Sequence, residues 1–252
     1  MLNAGRSATT VGIYLRSFRT IFNNAISEGL VSKEMYPFGT KKYEIPTANN
    51  TKKSLTLKEI GMIYNYKTKP NTPLELSRDI WLFMYLCNGI NVKDLCLLKY
   101  ENIKGEFLEF NRAKTVRTKR KVEPIRVPLC DDAKRIILKY GNPIDKNNYI
   151  FKVLAPGLTP QIERKLIKLF NSNVNDQMKN IATDLGIDGK LTTYVARHSF
   201  STILQRSGAT TEYISNALGH SNVITTQNYL AGFEDDSKIE ISKALTAFKL
   251  NN

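Results

Sequence analysis

Apolar positions in the first fifty residues follow a helical period once and then lose it. Val11, Tyr14, Leu15, Phe18, Ile21, Phe22, Ala25 and Ile26 recur every three or four residues between Ser7 and Ser27, which predicts one amphipathic helix. Residues 29–51 are punctuated by Pro37, Gly39 and Pro46 and end in a polar run from Thr47 to Thr51, so they read as loop and linker. Beyond the linker, Thr56-Leu57-Lys58-Glu59 has the form of a capping box and starts a helix to about Tyr66. A longer apolar helix is predicted over 73–88, ended by Gly89, and Asn91-Val92-Lys93-Asp94 opens a short one through Leu98. Residues 106–111 and 121–128 alternate or carry β-branched side chains and read as two antiparallel strands joined by a hairpin arm. Further helices are predicted at about 131–140, 160–185, 193–207, 211–218 and 225–231, and a last one carries Ile239, Ile241, Leu245 and Phe248. The pattern predicts a mainly α protein with a small antiparallel sheet. A lone helix ahead of a linker suggests a truncated first domain over 1–48 and a main domain over 49–252.

Charge changes this picture by pointing to a partner. The 252 residues carry 37 Lys+Arg against 23 Asp+Glu, a formal net charge of +14. The excess condenses between Arg112 and Lys121, where six basic residues stand with no acid. A polyanion is the expected partner. No apolar run approaches the roughly 18 residues of a membrane span, and the N-terminus does not open a signal peptide. The chain therefore reads as soluble and cytoplasmic. Cys87, Cys96 and Cys130 form neither a disulfide framework nor a thiolate site and are expected to be small buried hydrophobes. With two histidines, His198 and His220, and no paired-ligand spacing, no metal or other cofactor is expected.

The candidate chemistry lies in the last third. Ala196-Arg197-His198-Ser199-Phe200 falls within one predicted helix, Ala217-Leu218-Gly219-His220 closes the next, and Tyr229 stands nine residues beyond His220. Singly, each of these residues has an ordinary structural explanation as a packing residue, a salt bridge or a cap. Together, in this order and with Asn88-Gly89-Ile90-Asn91 and Arg112-Ala113-Lys114-Thr115 upstream, they resemble the signature boxes of the tyrosine recombinases, or phage integrases. The resemblance runs from about Ser54 to Phe233 and is nearest to integrases of bacterial mobile elements. The first helix and linker look like the tail of that family's core-binding domain.

The resemblance implies a tyrosine recombinase catalytic-domain fold and a site-specific recombinase that joins itself to DNA through a 3′-phosphotyrosyl link. Tyr229 would be the nucleophile, Arg197 a phosphate-clamping arginine, His220 a donor to the same phosphate and Lys114 the acid that protonates the departing 5′-oxygen. A phenol near pKa 10 needs such a cationic surround to attack at neutral pH. The family's partners would follow: a double-stranded DNA core site, and a homo-tetramer assembled through the C-terminal helix. Two positions depart from the family pattern. Asn91 stands where the first clamping arginine is usual, and Tyr194 where a histidine is. Arg112, placed on one strand face with Lys114, is the expected replacement for the missing charge, the other reading being one more basic arm residue. Tyr194 and Asn91 could support the site, and His198, about 100° round the helix from Arg197, is read as supporting or packing. Arg117, Lys119, Arg120 and Lys121 are expected to contact the DNA backbone. A DNA-binding protein of the same fold that no longer cuts is the alternative.

Overall fold

Ser7 opens the first helix, α1 (Ala8–Ser27), by accepting the Thr10 N–H on its hydroxyl. The computed structural model describes residues 5–46, 53–114, 116, 123–220 and 223–227, and the chain falls into two units, Met1–Thr51 and Lys52–Asn252. In the first unit the loop after α1 returns across the helix. Phe18 and Phe22 meet Tyr36 and Phe38 edge to face, and Phe38 in turn meets Tyr43. A Cβ on Gly12 would come within 2.5 Å of the Pro46 carbonyl oxygen, so only glycine admits the crossing. This aromatic packing covers one side of α1 and leaves Ile13, Tyr14 and Ile21 exposed.

The second unit is built on α3 (Pro73–Leu86), which packs on α5 (Asp131–Tyr140), α6 (Pro160–Asp184) and α7 (Thr193–Arg206). Its buried run from Ile80 to Met84 explains the sequence pattern, because a helix enclosed on most sides is apolar all round. Trp81 and Phe83 are fully buried, and such burial contributes roughly 1.5–3 kcal/mol for a side chain of this size. The capping box holds at α2 (Leu57–Asn65): Thr56 accepts the Glu59 N–H, and the Glu59 carboxylate accepts from the Thr56 N–H. One carboxylate is enclosed in this core. Asp79 is held by Arg78 at 2.7 Å, Lys139 at 3.1 Å and the Tyr140 hydroxyl at 2.8 Å. Burial pushes its pKa up, but these bonds outweigh burial and hold it below the ordinary carboxylate value.

Three antiparallel strands, β1 (Ile103–Lys104), β2 (Phe107–Phe110) and β3 (Ile125–Pro128), lie in that order, with Leu108 opposite Val127 and Phe110 opposite Ile125. These four residues face the core, while Arg126 faces out and lays its guanidinium 3.9 Å over the Phe107 ring. The remaining helices are α4 (Val92–Leu97), α8 (Thr211–Ala217) and α9 (Val223–Gln227). The architecture is mainly helical with a small antiparallel sheet. No helix among the described residues is long and apolar enough to cross a membrane.

Three expectations need correction. β2 ends at Phe110, so Arg112 and Lys114 share no strand face; they lie beyond the ladder, where Lys114 is in a turn. Cys130 is exposed, because it is the residue that caps α5 at the exit from the sheet, whereas Cys87 and Cys96 are buried. Burial holds the Cys96 thiol up at about 12, so it stays protonated. Finally, α9 covers Val223–Gln227, starting two residues earlier than the sequence suggests. The predicted last helix lies outside the described residues.

Candidate active site

Two backbone turns converge on one guanidinium. Asn88 and Gly89, both at positive φ, turn the chain out of α3 and into α4. A Cβ on Gly89 would fall 2.6 Å from the Cα of Arg197, so the loop lies directly against α7. The start of α7 is fixed from its neighbours. Asn175 of α6 accepts the Thr193 N–H at 2.8 Å, Asn171 accepts the Thr193 hydroxyl at 2.8 Å, and the Trp81 indole donates to the Thr192 carbonyl at 3.0 Å. These bonds set the rotation and height of the helix that carries Arg197, at an N-terminus whose cap residue, Thr192, makes no side-chain capping bond.

Arg197 is 2% exposed. Its Nη1 donates to the Gly89 carbonyl at 2.9 Å and its Nη2 to the Leu218 carbonyl at 2.6 Å, so the end of α3 and the end of α8 hold one fork between them. Leu218 ends α8, where carbonyls lack helical partners, and Gly219 at φ +64° swings the chain back so that the His220 N–H bonds to the Ser215 carbonyl. The same turn brings the His220 Nε2 to 3.2 Å from Arg197 Nη2, and the His220 Nδ1 lies 2.8 Å from the Thr226 hydroxyl of α9. His220 is itself 8% exposed.

The arm reaches this turn from the sheet. A Cβ on Gly219 would meet Ile125 of β3 at 2.5 Å and the Cδ of Arg112 at 3.7 Å, so the half-buried stem of Arg112 passes beside the residue preceding His220. Asp94 of α4 anchors the arm by accepting the Ala113 N–H at 2.9 Å, and its other oxygen accepts the Asn91 amide at 3.4 Å. Burial pushes the Asp94 carboxyl above its ordinary range, against the pull of those bonds and of the Arg112 and Arg197 charges. Lys114, the residue after Ala113, is exposed. Asn91, Lys93, Arg164, Lys168, Tyr194 and Arg197 line a cleft of about 1070 Å³ beside these groups.

Of the residues predicted from sequence, Arg197, His220, Arg112 and Asn91 are thus brought together. Tyr194 stands 46% exposed on the cleft, with its ring edge-on to that of buried His198 at 4.6 Å between centroids. His198 itself is buried in α7. Tyr229, Arg117, Lys119, Arg120 and Lys121 lie outside the described residues, Tyr229 following α9 by two positions. Sequence reading missed Asp94, Thr226 and the Asn171–Asn175 pair. The asparagines carry no local signal, since α6 also holds Asn173, Gln177 and Asn180, and their partner is eighteen residues away from Asn175.

A buried guanidinium and imidazole, with the stem of Arg112 beside the turn that carries the imidazole, are fitted to hold a tetrahedral oxyanion while charge builds on it. In a mainly helical unit with a three-stranded sheet, this is the architecture of a DNA strand-exchange catalytic domain. The family model described as the phage integrase family matches residues 53–235, and the chain belongs to that family. Tyrosine recombinase XerD of Listeria monocytogenes is 28% identical over 235 residues, covering 89% of this chain and 72% of its own. Tyrosine recombinase XerC of Thermodesulfovibrio yellowstonii is 28% identical over 226 residues, with the same coverages. Among solved structures, the Tn1549 transposon integrase in complex with transposon right-end DNA matches with a TM-score of 0.63 at 18% identity, over 98% of this chain and 82% of that one. A lambda integrase dimer bound to a COC′ core site matches with a TM-score of 0.57 at 16% identity, over 90% and 75%. At those identities the two structures speak for the fold.

Proposed function

We propose that Tyr229 of this chain is the nucleophile of a DNA strand-exchange reaction, with Arg197, Arg112, His220 and Lys114 serving the phosphate it attacks. The chain is a site-specific DNA recombinase of the tyrosine type. The reaction forms one bond from the Tyr229 oxygen to phosphorus and breaks the bond from phosphorus to the 5′-oxygen. Lys114, exposed on the anchored arm, gives the departing 5′-oxygen its proton, and the phenol proton leaves to the surrounding base or solvent. Attack by a 5′-hydroxyl of the partner strand reverses these steps and restores the phosphodiester. The phosphodiester is exchanged for another ester, so the cycle needs no external energy source.

The observation that carries this reading is the Arg197–His220 pair, fixed between the carbonyls of Gly89 and Leu218 before any substrate arrives. Preorganisation matters because donors already aimed at the phosphate need not reorganise as charge develops. Arg112 supplies the second positive charge where Asn91 offers only a neutral amide, and Tyr194 adds a hydroxyl at the rim. His198 supports α7 by packing. Arg117, Lys119, Arg120 and Lys121 grip the DNA backbone next to the scissile phosphate. At larger scale, residues 1–48 form the end of a core-binding domain and 49–252 the catalytic domain. Four protomers assemble on paired DNA core sites through the C-terminal segment bearing Ile241, Leu245 and Phe248, in the bacterial cytoplasm.

Incubation with a nicked core-site duplex, resolved on a denaturing gel, tests the assignment. The wild-type chain is expected to form a covalent protein–DNA adduct, and Tyr229→Phe to form none while binding DNA with unchanged affinity, because only the hydroxyl is lost. An adduct formed by the Phe variant would remove Tyr229 from the mechanism.

A further inference from the structure

The bonds around His220 leave one question of chemistry that the catalytic roles do not answer: which ring nitrogen carries the proton. Arg197 is a donor at every nitrogen, so its Nη2, 3.2 Å from the His220 Nε2, can bond there only if Nε2 accepts. The neutral ring must then be protonated on Nδ1, which faces the Thr226 hydroxyl at 2.8 Å and donates to it. A phosphate oxygen asks for the opposite, since it too accepts, and Nε2 must present a proton to it. The partner on Nδ1 therefore has to tolerate both states. A hydroxyl does so: it accepts from Nδ1–H, and after rotation about its C–O bond it donates to bare Nδ1. A carbonyl could only accept and a backbone N–H could only donate.

Thr226 is suited to this by its setting. Its residue is fully buried, so water does not compete for the bond, and its branched side chain is stiff at χ1. It lies in α9, three residues ahead of Tyr229, so the partner of the phosphate-facing histidine belongs to the segment that leads to the nucleophile. We propose that Thr226 is a positioning residue whose hydroxyl holds His220 on Nδ1 in either state, so that Nε2 can serve as acceptor, toward Arg197, or as donor, toward phosphate. The inference rests on His220 serving the phosphate, as argued above.

The full chain labelled with ¹⁵N-histidine tests it, since only two imidazoles contribute signals and His220→Asn identifies which belongs to His220. In the free wild-type chain at a pH where the ring is neutral, the expected spectrum is that of the Nδ1–H form. Thr226→Ser should keep it, and the isosteric Thr226→Val, with Arg197 still donating to Nε2, should keep the tautomer but move the Nδ1 signal away from that of a hydrogen-bonded N–H. In the adduct assay at saturating DNA, Thr226→Val should cleave at least about tenfold more slowly with DNA affinity unchanged, the scale on which loss of a group that orients an imidazole is felt. Thr226→Ser should stay within about threefold of wild type if the hydroxyl alone matters. A wild-type ring in the Nε2–H form, or a Val variant with wild-type spectrum and rate, would overturn the proposal. A wild-type chain that makes no adduct yet shows the expected spectra would instead fault the catalytic reading and leave the hydrogen-bond assignment standing.

Discussion

At the scale of single residues, the proposed roles of Asn91 and Arg112 are unequal. Two strong donors are wanted because the transition state spreads charge over both non-bridging oxygens, and Asn91 can give only one neutral hydrogen bond. Its amide is moreover turned toward Asp94. Arg112 carries a full charge on a long stem, and that stem already lies beside the Gly219 turn, next to His220. Arg112→Ala is therefore expected to lower the rate of adduct formation on the order of 100-fold or more, the usual cost of a preorganised donor to a developing oxyanion. Asn91→Ala and Arg117→Ala should each lose far less. Equal and mild effects from all three, in single-turnover cleavage, would leave the second charge unassigned. A place for Arg112 near His220 is legible in the sequence, but for a reason the structure replaces. Two-residue spacing suggests a common strand face, whereas the strand has ended and it is the glycine turn across the sheet that brings the arginine near. Asp94 and Thr226 were not legible, because what distinguishes them is a partner: an arm backbone N–H for one, an imidazole for the other.

Whole elements are set by the same turns. α7 behaves as a beam held at several points: Asn171, Asn175 and Trp81 fix its start, the Gly89 loop lies against Arg197, and Ser199, fully buried, accepts the Leu55 N–H at 2.9 Å. Helical period, capping boxes and glycine stops expose nearly all of these helices in the sequence, since each is a local signal. β1 escapes because two residues are too few to alternate, and the role of Gly89 escapes because a helix stop looks the same whether or not another helix presses on it. Gly89→Ala separates these functions. The added methyl meets the backbone of α7 at a positive φ, where neither side can yield cheaply, so unit stability should fall by about 1–3 kcal/mol and adduct formation by at least about tenfold. Gly105→Ala makes the control, because Gly105 has nearly the same φ but open space around its Cβ. It should share some of the loss of melting temperature and none of the loss of cleavage. Matching cleavage losses in the two variants would mean that the Gly89–α7 contact does not position Arg197.

For the molecule as a whole, the excess of 37 basic over 23 acidic residues must be read together with where the charge lies. The site itself needs few cations, and these are buried or anchored. The rest of the excess includes the arm residues Arg117, Lys119, Arg120 and Lys121 and the cleft-lining Lys93, Arg164 and Lys168. If these cations contact backbone phosphates, each contact releases condensed counterions, and the logarithm of affinity falls with the logarithm of salt by about 0.9 per phosphate neutralised. Four contacts from the arm alone give a slope near −3.6, or roughly a 150-fold loss of affinity between about 50 and about 200 mM salt. Fluorescence anisotropy with a labelled core-site duplex measures that slope directly. Removing Arg117, Lys119, Arg120 and Lys121 one at a time should reduce it by about 0.9 for each side chain that reaches a phosphate, while the slope of Tyr229→Phe stays at the wild-type value. A slope that is steep in wild type and unmoved by the arm substitutions would transfer DNA binding to the cleft residues, where Arg164→Ala and Lys168→Ala would then have to flatten it. A flat slope in the wild-type chain would mean that the positive charge of this protein does not lie against DNA at all.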